Sequence, residues 1–138
     1  MGTTEIFIGL AGLIVAILAF KYDHFSKPLE ELEHLKVQFK STQKVALEIR
    51  EDIDYLINKY DIGDCDFFPG FTYSLYLESL NSALSDCLSN DLIDKIESLE
   101  PSKVAIDSMQ KSLETQFNAL LQVKGYLQIQ KKQIEYNM

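Results

Sequence analysis

The chain has 138 residues, 46% of them hydrophobic, and a net charge of −8, which favours one folded domain with an appendage and excludes a wholly disordered chain. Residues 51–100 carry two basic and twelve acidic side chains. A duplex nucleic-acid groove needs clustered Lys and Arg, so we expect no duplex nucleic-acid partner. The two cysteines, Cys65 and Cys87, do not make a disulfide framework and are expected to stay reduced.

The first element is an apolar segment, residues 6–20, which contains no charged or strongly polar residue. As a helix it spans about 22 Å, and the flanking threonines and tyrosine bring it close to the ~20 residues that a bilayer core requires. We therefore predict a transmembrane helix with its juxtamembrane end over residues 3–25. Two alternatives remain, a secretory signal peptide and a buried helix. A signal peptide needs basic residues at its start, which this chain lacks, and a helix that is apolar on all faces is hard to bury in so small a domain.

Positive charge follows the apolar segment and does not precede it. The nearest lysines after it are Lys21, Lys27, Lys36, Lys40 and Lys44. The positive-inside bias then places residues 26–138 in the cytoplasm and the N-terminus outside. We expect a single-pass protein of the bacterial inner (cell) membrane, with the lipid bilayer as one partner.

Small residues recur on one face of the apolar segment at alternating spacings of three and four. With the acidic residue that precedes them, they are Glu5, Gly9, Gly12, Ala16 and Ala19. Small residues let helix backbones approach closely, so this face predicts self-association of the membrane helix, around a pore axis or as simple packing. Glu5 then lies either in the lipid headgroups or in a ring that selects cations.

Four further helices are predicted, over residues of about 28–60, 72–89, 90–99 and 102–135. The first and last carry apolar residues at a strict 3–4 spacing, which is typical of coiled-coil-like seams. The fold class is therefore all-α, with an elongated antiparallel helical bundle after the membrane helix. Asn90 is the expected cap of the short helix. Gln116 and Gln130, on the last seam, either fix the register or face an oligomer axis.

The loop at residues 61–71 contains Pro69–Gly70, which fits the centre of a type II turn. Aromatic residues concentrate around it: Phe67, Phe68, Phe71, Tyr73 and Tyr76. One interpretation is a plug that closes the end of the bundle. The other is a ligand or partner site, because aromatic rings stack on bases and tyrosine hydroxyls orient polar ligands.

The sequence predicts no enzyme, no cofactor and no metal site. It has no phosphate-binding glycine loop, no C-x-x-C pair and no zinc-protease motif. His24 and His34 are ten residues apart and do not form an i, i+4 metal pair. Asp61, Asp64 and Asp66 do not match a calcium-binding loop.

A short membrane helix, a long helix below it and a small helical cytoplasmic domain make up the layout of the whole chain. Together with the seam of residues 5–19 and the two heptad helices, this layout resembles the small membrane effectors of bacterial anti-phage operons of the Hailong type. In such systems a nucleotidyltransferase makes an oligonucleotide that opens the effector. The resemblance implies a homo-oligomeric channel gated by a nucleotide second messenger, and it assigns no binding residue.

Two functions are therefore expected. The first is a homo-oligomeric membrane effector, a gated ion channel or pore in bacterial defence. The alternative is a membrane-tethered helical scaffold or adaptor, whose acidic residues 51–100 attract a basic partner protein in the cytoplasm.

Overall fold

The computed structural model describes residues 29–137, and this part of the chain is mostly helical, which confirms the all-α class. Its elements are α1 (Leu29–Tyr60), β1 (Asp66–Phe68), β2 (Phe71–Thr72), α2 (Tyr73–Asp86), α3 (Asn90–Ser98) and α4 (Lys103–Asn137). Among these residues no helix is both long and apolar enough to cross a bilayer. The predicted membrane helix, residues 3–25, lies outside the described residues.

The two long helices bury their seams against each other. On α1 the fully buried positions are Leu35, Phe39, Thr42, Ala46, Ile49, Ile53 and Leu56. On α4 they are Ile106, Met109, Leu113, Gln116, Leu120, Val123 and Leu127. Each large apolar side chain removed from water contributes about 1.5–3 kcal/mol, so this seam is the main source of stability. Gln116 lies in this core, which excludes its predicted place at an oligomer axis, whereas Gln130 is half-buried.

The long helices run parallel. Hydrogen bonds along their length join residues in ascending order on both helices: Gln38 with Gln110, Glu48 with Lys124, and Asp52 with Gln128. The bond from Lys124 lowers the pKa of the Glu48 carboxyl, because it stabilises the charged form. Residue numbers therefore rise together along both helices, and each helix is near 50 Å long, at about 1.5 Å per residue.

The two short helices in the middle of the chain lie one after the other and form the third part of the bundle, the α2–α3 leg. Three contacts fix its direction: Gln43 with Leu88, Lys40 with Asn90, and Lys36 with Glu97. As the numbers on α1 fall, those from Leu88 to Glu97 rise, so α3 runs antiparallel to α1. The helix α2 runs the same way as α3, because it begins beside the end of α1, where the Ser74 backbone donates to the Gly63 carbonyl, and ends just before Leu88. The predicted antiparallel bundle thus holds between α1 and the α2–α3 leg. It is wrong for a pairing of the two long helices, because α3 continues the direction of α2 instead of reversing it.

Side-chain caps fix where the helices begin. Thr72 accepts a hydrogen bond from the Leu75 backbone and starts α2. Ser89, not the predicted Asn90, caps α3 by accepting from the backbone N–H of Leu92 at 3.1 Å. Asn90 instead lies in the first turn, where its side chain accepts hydrogen bonds from α1. Ser102 caps α4 in the same way as Ser89 caps α3.

A two-stranded antiparallel hairpin, absent from the sequence prediction, joins α1 to α2. Its turn is Pro69–Gly70, as predicted, and Gly70 has the positive φ of 76° that favours glycine. Phe68 and Phe71 face each other across the turn. The Asp66 carboxylate accepts from the Gly70 backbone at 3.3 Å, which closes the loop.

Candidate functional site

The hairpin brings the predicted aromatic residues into one cluster. Phe67 is at its centre, with ring centroids 4.5 Å from Phe68, 4.9 Å from Tyr73 and 5.2 Å from Tyr76. Phe71 lies at the edge, 6.4 Å from Tyr76. These distances are those of favourable tilted and edge-to-face ring contacts, so each ring stabilises its neighbours.

A sixth aromatic residue, Tyr126 on α4, completes this cluster and was not predicted. Its ring stacks on Phe68 at 5.0 Å, with an angle of 14° between the planes. Its hydroxyl donates a 2.6 Å hydrogen bond to the Phe67 carbonyl. The sequence gives little sign of this role, because Tyr126 lies 50 residues from the nearest member of the predicted group. The contact ties the hairpin to α4.

Burial divides the cluster into two parts. Phe67, Tyr73 and Tyr76 are almost inaccessible, whereas Phe68, Phe71 and Tyr126 are half-buried. Burial raises the pKa of Tyr73 to about 12 and raises that of Tyr76 as well, because the low-dielectric interior disfavours phenolate. A planar ligand therefore has access only to the edge formed by the half-buried rings. The predicted ligand or partner role of this cluster stays a prediction.

The buried Tyr76 hydroxyl has no hydrogen-bond partner within the described part of the chain. A buried hydroxyl without a partner costs about 1–3 kcal/mol, since it has lost its hydrogen bonds to water. Tyr76 is only 2% exposed. Its ring contributes to packing while its oxygen opposes folding.

A second feature, the α1–α4 groove, was not predicted. This groove of about 610 Å³ lies between the first halves of the two long helices. Its α1 wall includes His34, Val37 and Ser41, and its α4 wall includes Lys111 and Phe117. Val37 is 66% exposed although it is apolar. Two shallower depressions continue along α1, one beside Leu29 and one beside Lys40 and Lys44.

A third feature, the outer patch, lies on the face of α4 opposite the core. It consists of Leu121, Gly125 and Ile129, spaced four residues apart. Leu121 is 42% exposed and Ile129 57%. An added Cβ on Gly125 would meet nothing within 4 Å, so no contact in the described structure accounts for a glycine there. Glycine costs a helix about 1 kcal/mol relative to alanine, which makes this position unfavourable for α4 alone.

Within residues 29–137, no three His, Cys, Asp or Glu side chains form a group that could hold a metal ion. The candidate membrane residues Glu5, Gly9, Gly12, Ala16 and Ala19 lie outside this range. The cysteines are free thiols, Cys65 exposed and Cys87 half-buried. Burial raises the pKa of the Cys87 thiol, with the neighbouring Asp86 adding to the effect.

No protein-family model matches the chain, and neither a curated protein nor a solved structure matches it.

Proposed function

We propose that the chain is a homo-oligomeric, single-pass membrane effector of bacterial defence that works by assembly of its N-terminal segment into a gated pore, without catalysis. The observation that carries the proposal is the uncharged run at residues 6–20, joined by only eight residues to the first turn of α1. So short a connection couples the position of the helical domain to that of the segment. The helical domain is then the part that holds copies together and receives the activating signal.

The long seams do not hold the copies together, because α1 and α4 bury them within one chain. The outer patch is the better candidate for contact between copies. Leu121 and Ile129 supply apolar area, and Gly125 lets the backbone of a second α4 approach closely. Glycine at this open position lowers the stability of α4, and only a second surface packed against it would compensate for that loss.

Assembly through the outer patch is tested by Gly125→Trp, which fills the patch with a large side chain. The position is exposed and the new Cβ meets nothing within 4 Å, so the monomer should fold normally. We expect the detergent-solubilised mass to fall to that of a monomer in light scattering. Asn81→Trp, at an exposed position of α2, is the matched control and should keep the oligomer. An unchanged mass for the Gly125 variant would show that the outer patch does not join copies of the chain.

The pore is tested in liposomes with substitutions on the small-residue face. Gly12→Leu and Ala16→Leu should abolish ion leakage, because they separate the helix backbones. Ile14→Leu, on the opposite face of the segment, should leave the leakage unchanged. Equal leakage in all four proteins, wild type included, would contradict pore formation by this face.

The alternative function, a membrane-tethered scaffold, is favoured by one observation. The acidic residues of positions 51–100 are nearly all exposed, on the end of α1, the hairpin, α2 and α3. Such a surface attracts a basic partner. Replacing residues 1–25 by an unrelated membrane anchor separates the two functions, because a scaffold keeps its activity and a pore loses it.

A further inference from the structure

Most of the accessible surface in the α1–α4 groove is apolar, although polar and charged side chains line it too, and nothing in residues 29–137 covers it. Val37 is 66% exposed at its wall, and Leu29, in the neighbouring depression, is 69% exposed. Phe117 lies half-buried on the opposite side. This surface lies at the end of the bundle where the apolar segment is attached, since α1 begins at Leu29.

The connection permits the apolar segment to reach this surface. Residues 21–28 span at most about 29 Å when extended, which is ample for a reversal of direction. Folded back as a helix, residues 6–20 would then run antiparallel to α1. Their length of about 22 Å equals the rise along α1 from Leu29 to Lys44. The groove and its two neighbouring depressions lie within that stretch of α1 and the facing part of α4.

The charges at the two ends of the segment complement those of α1. In the antiparallel alignment Lys21 lies beside the first turns of α1, which carry Glu30 and Glu33. Glu5 lies at the level of Lys44, which lines the depression farthest from Leu29. The reverse direction would bring like charges together at both ends.

We propose that residues 6–20 dock in the α1–α4 groove when no bilayer is available, so that the groove and the membrane compete for the same segment. This inference rests on the proposed function, because it assumes that the segment enters lipid when released. Docking covers the exposed apolar side chains of α1 and shields the segment from water. Any ligand or partner that occupies the groove would then drive the segment into the membrane.

Cross-linking in the full-length chain tests the docked state. The segment position level with Val37 is Leu13, so Leu13→Cys and Val37→Cys are introduced together after Cys65→Ser and Cys87→Ser. The protein is synthesised in a cell-free system without membranes and treated with a short bismaleimide. We expect an intramolecular cross-link that vesicles of phosphatidylcholine and phosphatidylglycerol suppress. Leu13→Cys with Glu51→Cys, some 20 Å farther along α1, is the control pair and should not react.

A product of doubled mass alone would place the segment on a second copy and overturn docking within one chain. The register is tested by Glu5→Lys, which should weaken the Leu13–Val37 cross-link severalfold, and by adding Lys44→Glu, which should restore it. A failure of the second change to restore the cross-link would overturn the antiparallel alignment.

Vesicle flotation separates this inference from the proposed function. Val37→Asp places a charge in the groove and should lower the lipid concentration for half-maximal binding about tenfold. Leu75→Asp, at an exposed apolar position in the first turn of α2 and outside both the groove and the outer patch, should match the wild type. If no cross-link forms, and if both variants float as the wild type does, docking is overturned and membrane insertion is not. A cross-link that vesicles do not suppress, with no flotation of any variant, would overturn membrane insertion and leave docking in place.

Discussion

The Tyr126 hydroxyl on α4 donates a 2.6 Å hydrogen bond to the carbonyl of Phe67 in the hairpin. Through this bond a loop between α1 and α2 is fastened to a helix that begins 36 residues after it. The aromatic cluster is therefore part of the bundle, and substitutions within it should change the stability of the whole domain.

Tyr126→Phe removes this hydrogen bond but keeps the ring that stacks on Phe68. We expect the free energy of unfolding to fall by about 0.5–1.5 kcal/mol, the usual net contribution of such a bond. Urea denaturation of residues 26–138 followed by circular dichroism measures it. Tyr136→Phe, at a position that is 91% exposed, is the control and should have no effect. Equal losses in both variants would contradict a specific role for the Tyr126 hydroxyl.

Tyr76→Phe should act in the opposite direction. It removes a buried hydroxyl that has no partner in the described structure and keeps the contacts with Phe67 and Phe71. We expect the free energy of unfolding to rise by about 1 kcal/mol. The same urea titration measures the change. A loss of stability would show that the hydroxyl is satisfied in solution, for example by a buried water.

Alkaline pH should destabilise the domain through its buried tyrosines. Burial raises the pKa of Tyr73 to about 12 and that of Tyr76 as well, whereas an unfolded tyrosine ionises near about 10. The unfolded chain therefore releases protons first, and stability that is complete below pH ~10 is lost as the pH rises towards the folded values. Urea titrations at rising pH should show this fall. Tyr76→Phe should make the dependence of the free energy of unfolding on pH shallower, and an unchanged dependence would contradict a contribution from Tyr76.

Gly125→Ala should stabilise the isolated domain. The added methyl group meets nothing within 4 Å, and alanine is favoured over glycine in a helix by about 1 kcal/mol. Thermal unfolding at low protein concentration, where copies are separated, measures the gain. Thr115→Ala, at another exposed position of α4, is the comparison. No gain for the glycine variant would indicate that the glycine already has a packing role.

Ser89→Ala should cost about 1 kcal/mol, because it removes the cap of α3. Asn90→Ala should cost less, since the hydrogen bonds it loses to Lys40 and Gln43 are exposed. The pair is compared by urea denaturation. A larger loss of stability for the Asn90 variant would show that Asn90, the residue predicted from the sequence, is the cap of α3.

The helices were predictable because two seams of apolar residues follow the helical repeat over most of their length. The buried residues of α1, from Leu35 to Leu56, follow the 3–4 spacing that was predicted for the helix over residues 28–60. The boundary at Ser89 was missed by one residue, since serine and asparagine are about equally good caps and only the backbone, extended at Ser89, decides between them.

The topology was not predictable in the same way. The break at Cys87–Ser89 has the composition of a turn, and a turn allows the chain either to reverse or to continue. Its outcome depends on contacts far away in sequence, such as that of Lys36 with Glu97. The α1–α4 groove depends on the parallel pairing that results, so it could not be found from the sequence. The aromatic residues of the hairpin were found because they are close in sequence, and Tyr126 was missed because it is not.

The parallel pairing of α1 and α4 has a mechanical consequence. A bundle of three legs places Leu29 at one pole and Asn137 at the other, so a pull on these two points draws α1 and α4 past each other along their common axis. All contacts of the seam then bear the force together, instead of opening one after another from an end. In optical-trap measurements, the domain should yield at a higher load when held at Leu29 and Asn137 than when held at Leu29 and Lys103.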